Sequence, residues 1–88
     1  MEDYAIEYEP GWDVHFNDFD RPIQERMWKK ILKMRAVLKT RHLKHGFPYF
    51  VEEVGGYRIV FEVFEKEKIR KIIFVGDHKQ YQRWYKSL

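Results

Sequence analysis

From Tyr57 to Phe64 the chain reads Tyr-Arg-Ile-Val-Phe-Glu-Val-Phe, a run of β-branched and aromatic residues that suits a strand. Gly55-Gly56 just before it supplies the positive φ of a two-residue turn, and Phe47 to Val54 ahead of the turn is a second strand-like run. Glu65-Lys66-Glu67-Lys68 forms a charged turn, and Ile69 to Val75 is a third run, closed by Gly76. Together these predict an antiparallel meander. Near the start, Tyr4-Ala5-Ile6-Glu7-Tyr8 alternates large apolar with small or polar residues and reads as a first strand, ended by Pro10-Gly11. It must pair within the sheet, because a lone strand leaves its backbone groups unsatisfied. Trp12, Val14, Phe16 and Phe19 mark a short helical turn.

A different period follows. Ile23, Met27, Ile31, Met34 and Leu38 recur at spacings of 4, 4, 3 and 4. That spacing predicts an amphipathic helix of roughly twenty residues with its bases mostly off the apolar stripe. Asp20 suits its N-cap, and Pro22 falls in the first turn, where a missing N–H costs nothing. Gly46 and Pro48 stop it, after a break near Thr40, and His78 to Ser87 reads as a short C-terminal helix. The expected fold class is α+β: a single domain over residues 1–88, with a small antiparallel meander sheet of about four strands, N-terminal helices packed on one face and a short C-terminal helix.

Composition narrows the function classes. The 88 residues are 44% hydrophobic and 35% charged, which is globular rather than disordered. A domain this small excludes multi-domain enzymes and large cofactor sites. Cysteine is absent, which excludes disulfide staples, Cys-ligated zinc and thiol catalysis. No apolar run approaches a membrane span, and the acidic start lacks the basic region of a signal peptide, so the expected compartment is the cytoplasm, with no membrane partner. No Asp/Glu/His set has metal-ligand spacing, so neither a metal nor a cofactor is expected.

The net charge of +3 hides an asymmetry. Residues 1–20 carry seven acids and no Lys or Arg; residues 21–45 carry nine bases against one acid, a net +8. Such a segment, with His42 and His45 at its end, is an electrostatic footprint for a polyanion. The alternative is a solvated helix face whose Lys and Arg stems cover apolar neighbours. Aromatic residues are 18% of the chain, serving either as core filler or as stacking platforms for bases.

The C-terminal half carries the specific signal. It reads His42-Leu43-Lys44-His45-Gly46, then Val54-Gly55-Gly56-Tyr57-Arg58-Ile59-Val60-Phe61, then Phe74-Val75-Gly76-Asp77-His78-Lys79-Gln80-Tyr81. This resembles the RelE/ParE superfamily of toxins from toxin–antitoxin pairs. There a glycine turn leads into a Gly-Tyr-Arg-hydrophobic strand, and a later strand ends in Gly-x-His-x-x-Tyr; the histidine is closest to the HigB and YafQ branches, whereas RelE itself has an arginine at the position of His78. The resemblance implies an antiparallel sheet cradling helices, an endoribonuclease that cuts mRNA, usually at the ribosome, and a cognate antitoxin that wraps the toxin. The Lys- and Glu-rich composition also suggests a thermophilic source.

Metal-independent RNA cleavage uses the ribose 2′-hydroxyl as nucleophile on the adjacent phosphate. It needs in-line geometry, a base, cations around the pentacovalent phosphate, and an acid for the 5′ oxygen. His78 is the first candidate, since histidine changes charge nearest neutral pH; the alternative is a cap or a sheet-edge hydrogen bond. Arg58 is second: its fork matches phosphate, and the family's equivalent arginine binds the scissile phosphate. Its alternative is a cross-strand pair with Glu53 or Glu62. Tyr81, three residues after His78, is a stacking or hydrogen-bonding candidate, or core filler. Arg41, His42, Lys44, His45 and Lys79, with Lys29, Lys30 and Lys33 on the helix, are the RNA-binding candidates. Glu52 and Glu53 read as edge charge, with a general base as the minor option. Two other functions stay open: a ParE-like, non-enzymatic gyrase inhibitor, and a catalytically inactive basic RNA-binding module.

Overall fold

Gly55 takes a φ of +59°, the left-handed backbone that its turn requires. Around that turn Tyr49–Val54 (β3) and Tyr57–Phe64 (β4) pair antiparallel, with Glu53 opposite Arg58. The computed structural model describes residues 3–36, 41–42 and 48–88, with Arg41 and His42 described in their backbone alone. Ile69–Asp77 (β5) pairs antiparallel with β4. Val60 faces Phe74 while Phe61 faces Ile72, so Ile73 is the extra residue of a bulge. Ala5–Tyr8 (β1) lies parallel beside β5, and the two-residue strand Arg41–His42 (β2) pairs with the outer side of β3. The order is β1-β5-β4-β3-β2.

The expected purely antiparallel sheet is therefore corrected to a mixed one. The first strand joins the last, and the intervening chain is long enough to make the crossover a parallel pair demands. β5 also runs on through Gly76 to Asp77, so Gly76 lies inside the strand instead of ending it.

Strand alternation divides the core between two faces. On one face Ile59, Phe61, Ile72 and Val75 pack with Met27, Ile31 and Met34 of the helix Arg21–Lys33 (α1), and with Phe16 of a 3-10 turn at Phe16–Asp18. On the other, Val51, Val60 and Phe74 pack with Tyr81 and Trp84 of the C-terminal helix His78–Lys86 (α2). Helices thus cover both faces of the sheet: the stripes of α1 and α2 meet opposite sides of β4 and β5. Among the described residues no helix is long and apolar enough to cross a membrane.

The helix α1 has 13 residues and stops sooner than its apolar period implies. The cause is tertiary. In a longer helix the carbonyls of Met34, Arg35 and Ala36 would accept amides four residues on. Here Arg70 Nη1 donates to Met34 O at 2.7 Å and to Ala36 O at 2.8 Å, and the Tyr4 amide donates to Arg35 O at 2.7 Å. Leu38, the last residue of the predicted stripe, lies outside the described residues. At the other end Asp20 is the N-cap by position and backbone, but its side chain makes no capping hydrogen bond.

Arg70 is buried, 5% exposed, with its guanidinium carbon 4.2 Å from the centre of the Tyr4 ring. Tyr4 in turn donates its hydroxyl to the Glu65 carboxylate, at 2.8 Å for the shorter contact. Replacing Arg70 by Met keeps much of the volume but strands two carbonyls. Arg70→Met should lower stability by about 2–4 kcal/mol, seen as a lower urea midpoint at unchanged slope. Arg70→Lys should recover only part of the loss, because an ammonium lacks the planar fork.

Candidate functional site

Arg58 lies on the central strand between Glu53 of β3 and Gly76 of β5. Its side chain is only 18% exposed. Gly76 beside it is buried, and the Phe74 ring and Gln80 Cβ fill the space that a side chain there would take. The guanidinium approaches Glu53 at 3.9 Å, donates from Nη1 to the Tyr57 carbonyl at 3.3 Å, and stands 5.8 Å from the centre of the Tyr81 ring. The cross-strand pairing with Glu53 that the sequence offers as an alternative is present, but it is long, and Glu53 is itself 44% exposed. An arginine has five N–H donors; among the described residues one hydrogen bond from Arg58 is formed, and none of its nitrogens is both buried and unpaired. The guanidinium thus keeps donors beyond that one bond, beside the Tyr81 ring.

That ring belongs to a ladder. Phe74 and Trp84 stack at 5.3 Å and 17°, Tyr49 tilts against Trp84 at 5.6 Å, and Tyr81 and Tyr85 are nearly parallel at 10°. A tight start to α2 holds the ladder in place. Asp77 Oδ1 accepts from the Gln80 amide at 2.8 Å, and the Gln80 side chain accepts from the Asp77 amide at 2.8 Å, a reciprocal capping box. With α2 starting directly after β5, Tyr81 falls one turn in and folds back over Arg58.

His78 is less well placed than its sequence position suggests. It is the first residue of α2 and exposed, and its Nε2 lies 3.1 Å from Gln82 Nε2. Among the described residues it is Tyr81, not His78, that reaches Arg58. The capping role considered for His78 is filled by Asp77. Lys79 is exposed on the first turn of α2. Lys44 and His45 lie outside the described residues, and the side chains of Arg41 and His42 are not described.

Lys29, Lys30 and Lys33 gather at a second place. Together with Arg26 they line a groove of about 220 Å³ between α1 and the end of β3, whose remaining lining is Glu53 and Val54. Lys30 is tied by a 3.0 Å ion pair to Glu52, whose side chain is only 13% exposed. Glu52 and Glu53 are therefore ion-pair partners of cations on opposite faces of β3.

Two residues escape the sequence reading. Arg26 joins the basic groove; its spacing to Lys29, Lys30 and Lys33 was the available signal. His15 sits edge-on to Phe74 at 5.6 Å, half-buried, in a segment with no periodicity to place it. No group of three metal-ligating side chains occurs among the described residues. Away from the site, the Glu9 carboxylate beside Lys71 pushes the lysine's pKa up, and burial pushes up that of the Tyr8 phenol.

No protein-family model matches the chain, and no curated protein matches it in sequence. Solved structures do match its fold. The RelBE2 toxin–antitoxin complex from Mycobacterium tuberculosis contains a chain that superimposes with a TM-score of 0.74 at 14% identity, over 88% of this chain and 93% of that one. The isolated E. coli RelE toxin gives 0.70 at 16%, over 96% and 97%. The RelB–RelE antitoxin–toxin complex from Methanococcus jannaschii gives 0.71 at 16%, over 90% and 98%. The chain has the RelE-like toxin fold.

Gly76 is the residue on which the geometry beside Arg58 turns. A Cβ there would lie 2.8 Å from the Phe74 ring and 3.0 Å from Gln80 Cβ. Gly76→Ala should destabilise by about 1–3 kcal/mol and loosen α2 in preference to the sheet. Hydrogen exchange should show faster amides in α2 with β4 unchanged; equal protection throughout would mean that the ring simply turns aside.

Proposed function

We propose that the chain is the toxin of a toxin–antitoxin pair and that it cuts mRNA without a metal. In this reading a ribose 2′-hydroxyl attacks the adjacent phosphate. The observation that carries the proposal is Arg58: a mostly buried guanidinium on the central strand, held only loosely by Glu53, opposite a glycine and under Tyr81. Burying a cation costs several kcal/mol unless it is paired, by about the order that a well-placed phosphate would return. The RelE-like fold and the presence of RelB–RelE complexes among its structural neighbours support the same reading.

The steps follow from the residues. The scissile phosphate displaces Glu53 from Arg58, and the fork binds two non-bridging oxygens. As the 2′ oxygen bonds to phosphorus, charge grows on those oxygens, and the low-dielectric floor of Val51, Val60 and Phe74 strengthens the attraction. The 2′ proton leaves to a base, the bond from phosphorus to the 5′ oxygen breaks, and that oxygen takes a proton from an acid. The products are a 2′,3′-cyclic phosphate and a 5′-hydroxyl. His78 is assigned to this proton traffic, which requires its exposed ring to turn from Gln82 toward the substrate. Tyr81 stacks on the base beside the cut, and Lys79 neutralises a flanking phosphate. Arg41, His42, Lys44 and His45 are assigned to RNA contact. The ribosome presents the mRNA, and the protein acts in the cytoplasm. The exposed side chains of Trp28 and Leu32, one turn apart on α1 with Tyr8 near Trp28, offer an apolar landing for the antitoxin.

The test is induced expression in growing cells, wild type beside Arg58→Ala, Tyr81→Ala and His78→Ala, with mRNA 5′ ends mapped and folding checked by circular dichroism. Wild type should arrest growth and create new 5′-hydroxyl ends. Arg58→Ala should reduce cutting by about 10²-fold or more, and His78→Ala by a similar factor. Tyr81→Ala should cut less and with altered base preference. Growth arrest without new ends would overturn the nuclease reading in favour of a gyrase-type target, and the absence of both would leave a basic RNA-binding module.

A further inference from the structure

We propose that the groove between α1 and the β3–β4 turn is a second anchoring site, which holds the phosphodiester backbone of single-stranded RNA beyond the segment at Arg58. The proposal rests on the reading that the chain acts on RNA, and it adds Arg26 and the path of the strand. Arg26, Lys29, Lys30 and Lys33 are spaced i, i+3, i+4 and i+7, so they form one stripe along α1, about 10 Å long. The stripe lines the groove of about 220 Å³, in which Glu53 is the only carboxylate among the described residues.

Lys30 is neutralised by Glu52 on the inner side. Arg26, Lys29 and Lys33 enter no ion pair among the described residues. The Arg26 guanidinium lies over the turn, with Nη2 3.0 Å from where a Cβ on Gly55 would stand. Three like charges on one stripe repel each other, and a chain of phosphates relieves that repulsion at several points at once, where a single small anion relieves it at one.

Glu53 links the two places. It lines the groove, and it is also the carboxylate 3.9 Å from Arg58. The groove therefore begins where the Arg58 site ends, and one RNA strand bent around the end of β3 can lay a phosphate at each. Displacing Glu53 from Arg58 would move its charge with respect to the groove, so occupancy at one site is felt at the other.

The experiment is fluorescence anisotropy with a labelled oligouridylate of about twelve nucleotides, titrated with the full chain at several NaCl concentrations. The variant Arg26→Gln/Lys29→Gln/Lys33→Gln should bind about tenfold more weakly, and its log–log salt slope should be shallower by about 2, at roughly 0.7 per lost phosphate contact. The control Lys66→Gln/Lys86→Gln, on exposed positions away from both places, should match wild type. If Arg58→Ala weakens binding and the triple variant does not, the groove proposal falls and the ribonuclease reading survives. If the triple variant weakens binding and wild type makes no mRNA cuts, the groove stands and the ribonuclease reading falls. If wild type ignores the oligouridylate but binds poly-glutamate through the same three side chains, the occupant is an acidic protein segment and the proposal is overturned. Failure to bind either probe overturns it as well.

Discussion

The buried fork of Arg70 is the constraint around which the rest of the chain is arranged. One guanidinium takes carbonyls from both sides of the point where α1 ends, and Tyr4 covers it while using its own amide on the carbonyl between them. Three segments distant in sequence, the start of β1, the end of α1 and the start of β5, are thereby tied at one place. This knot explains why β1 joins the sheet parallel to β5: the Tyr4 amide is committed to Arg35, and the Ala5 amide to Lys68 O at 2.8 Å. It also sets where the chain leaves α1 for the segment that carries Arg41, His42, Lys44 and His45. An arginine without a carboxylate partner is normally costly in a core. Here the two carbonyls and the ring take the place of the missing anion.

Once the sheet is anchored in this way, its faces can serve different ends. The α1 face holds the larger apolar cluster. The α2 face is smaller and aromatic, and it holds Arg58 mostly buried opposite Gly76. Opposite Arg58, the absence of a side chain at Gly76 lets the Phe74 ring and Gln80 close over the strand. The helix start that places Tyr81 over Arg58 thus depends on that glycine.

Much of this was legible from residues alone. The Gly55-Gly56 turn, the two long strands beside it, the strand at residues 4–8 and the C-terminal helix all follow from local pattern, because period and turn chemistry are local properties. Arg58 stood out for the same reason, a cation in an apolar strand. What could not be read was non-local. Sidedness of α2 depends on a bulge at Ile73 and on the immediate strand-to-helix junction at Asp77, neither of which has a period. The early end of α1 depends on Arg70, thirty-six residues from Met34, and its stripe gives no sign of it. His78 looked central because of its chemistry and its motif; in space it is an exposed residue beside Gln82, and the aromatic residue one turn later occupies the position over Arg58.

The charge asymmetry acquires its meaning only in three dimensions. An acidic first segment and a basic second one could have folded onto each other and cancelled. Among the described residues they meet at a single ion pair, Asp3 with Arg35 at 4.0 Å beyond the end of α1, while Glu9 pairs with Lys71 on β5. Asp13 accepts from Asn17 at 3.2 Å within its own turn. Among the described residues, no acid of the first twenty pairs with Arg26, Lys29, Lys30 or Lys33. On the β1 side Asp3 and Glu9 neutralise cations of the helix end and of the sheet, while the basic stripe of α1 lies beside the end of β3. The fold thus separates charge that is adjacent in sequence, and leaves the positive potential of α1 next to the strand that carries Glu53 and leads to Arg58. A field of that placement acts on a polyanion approaching from the β3 side, and it is weakest along β1, where acidic and basic side chains already meet.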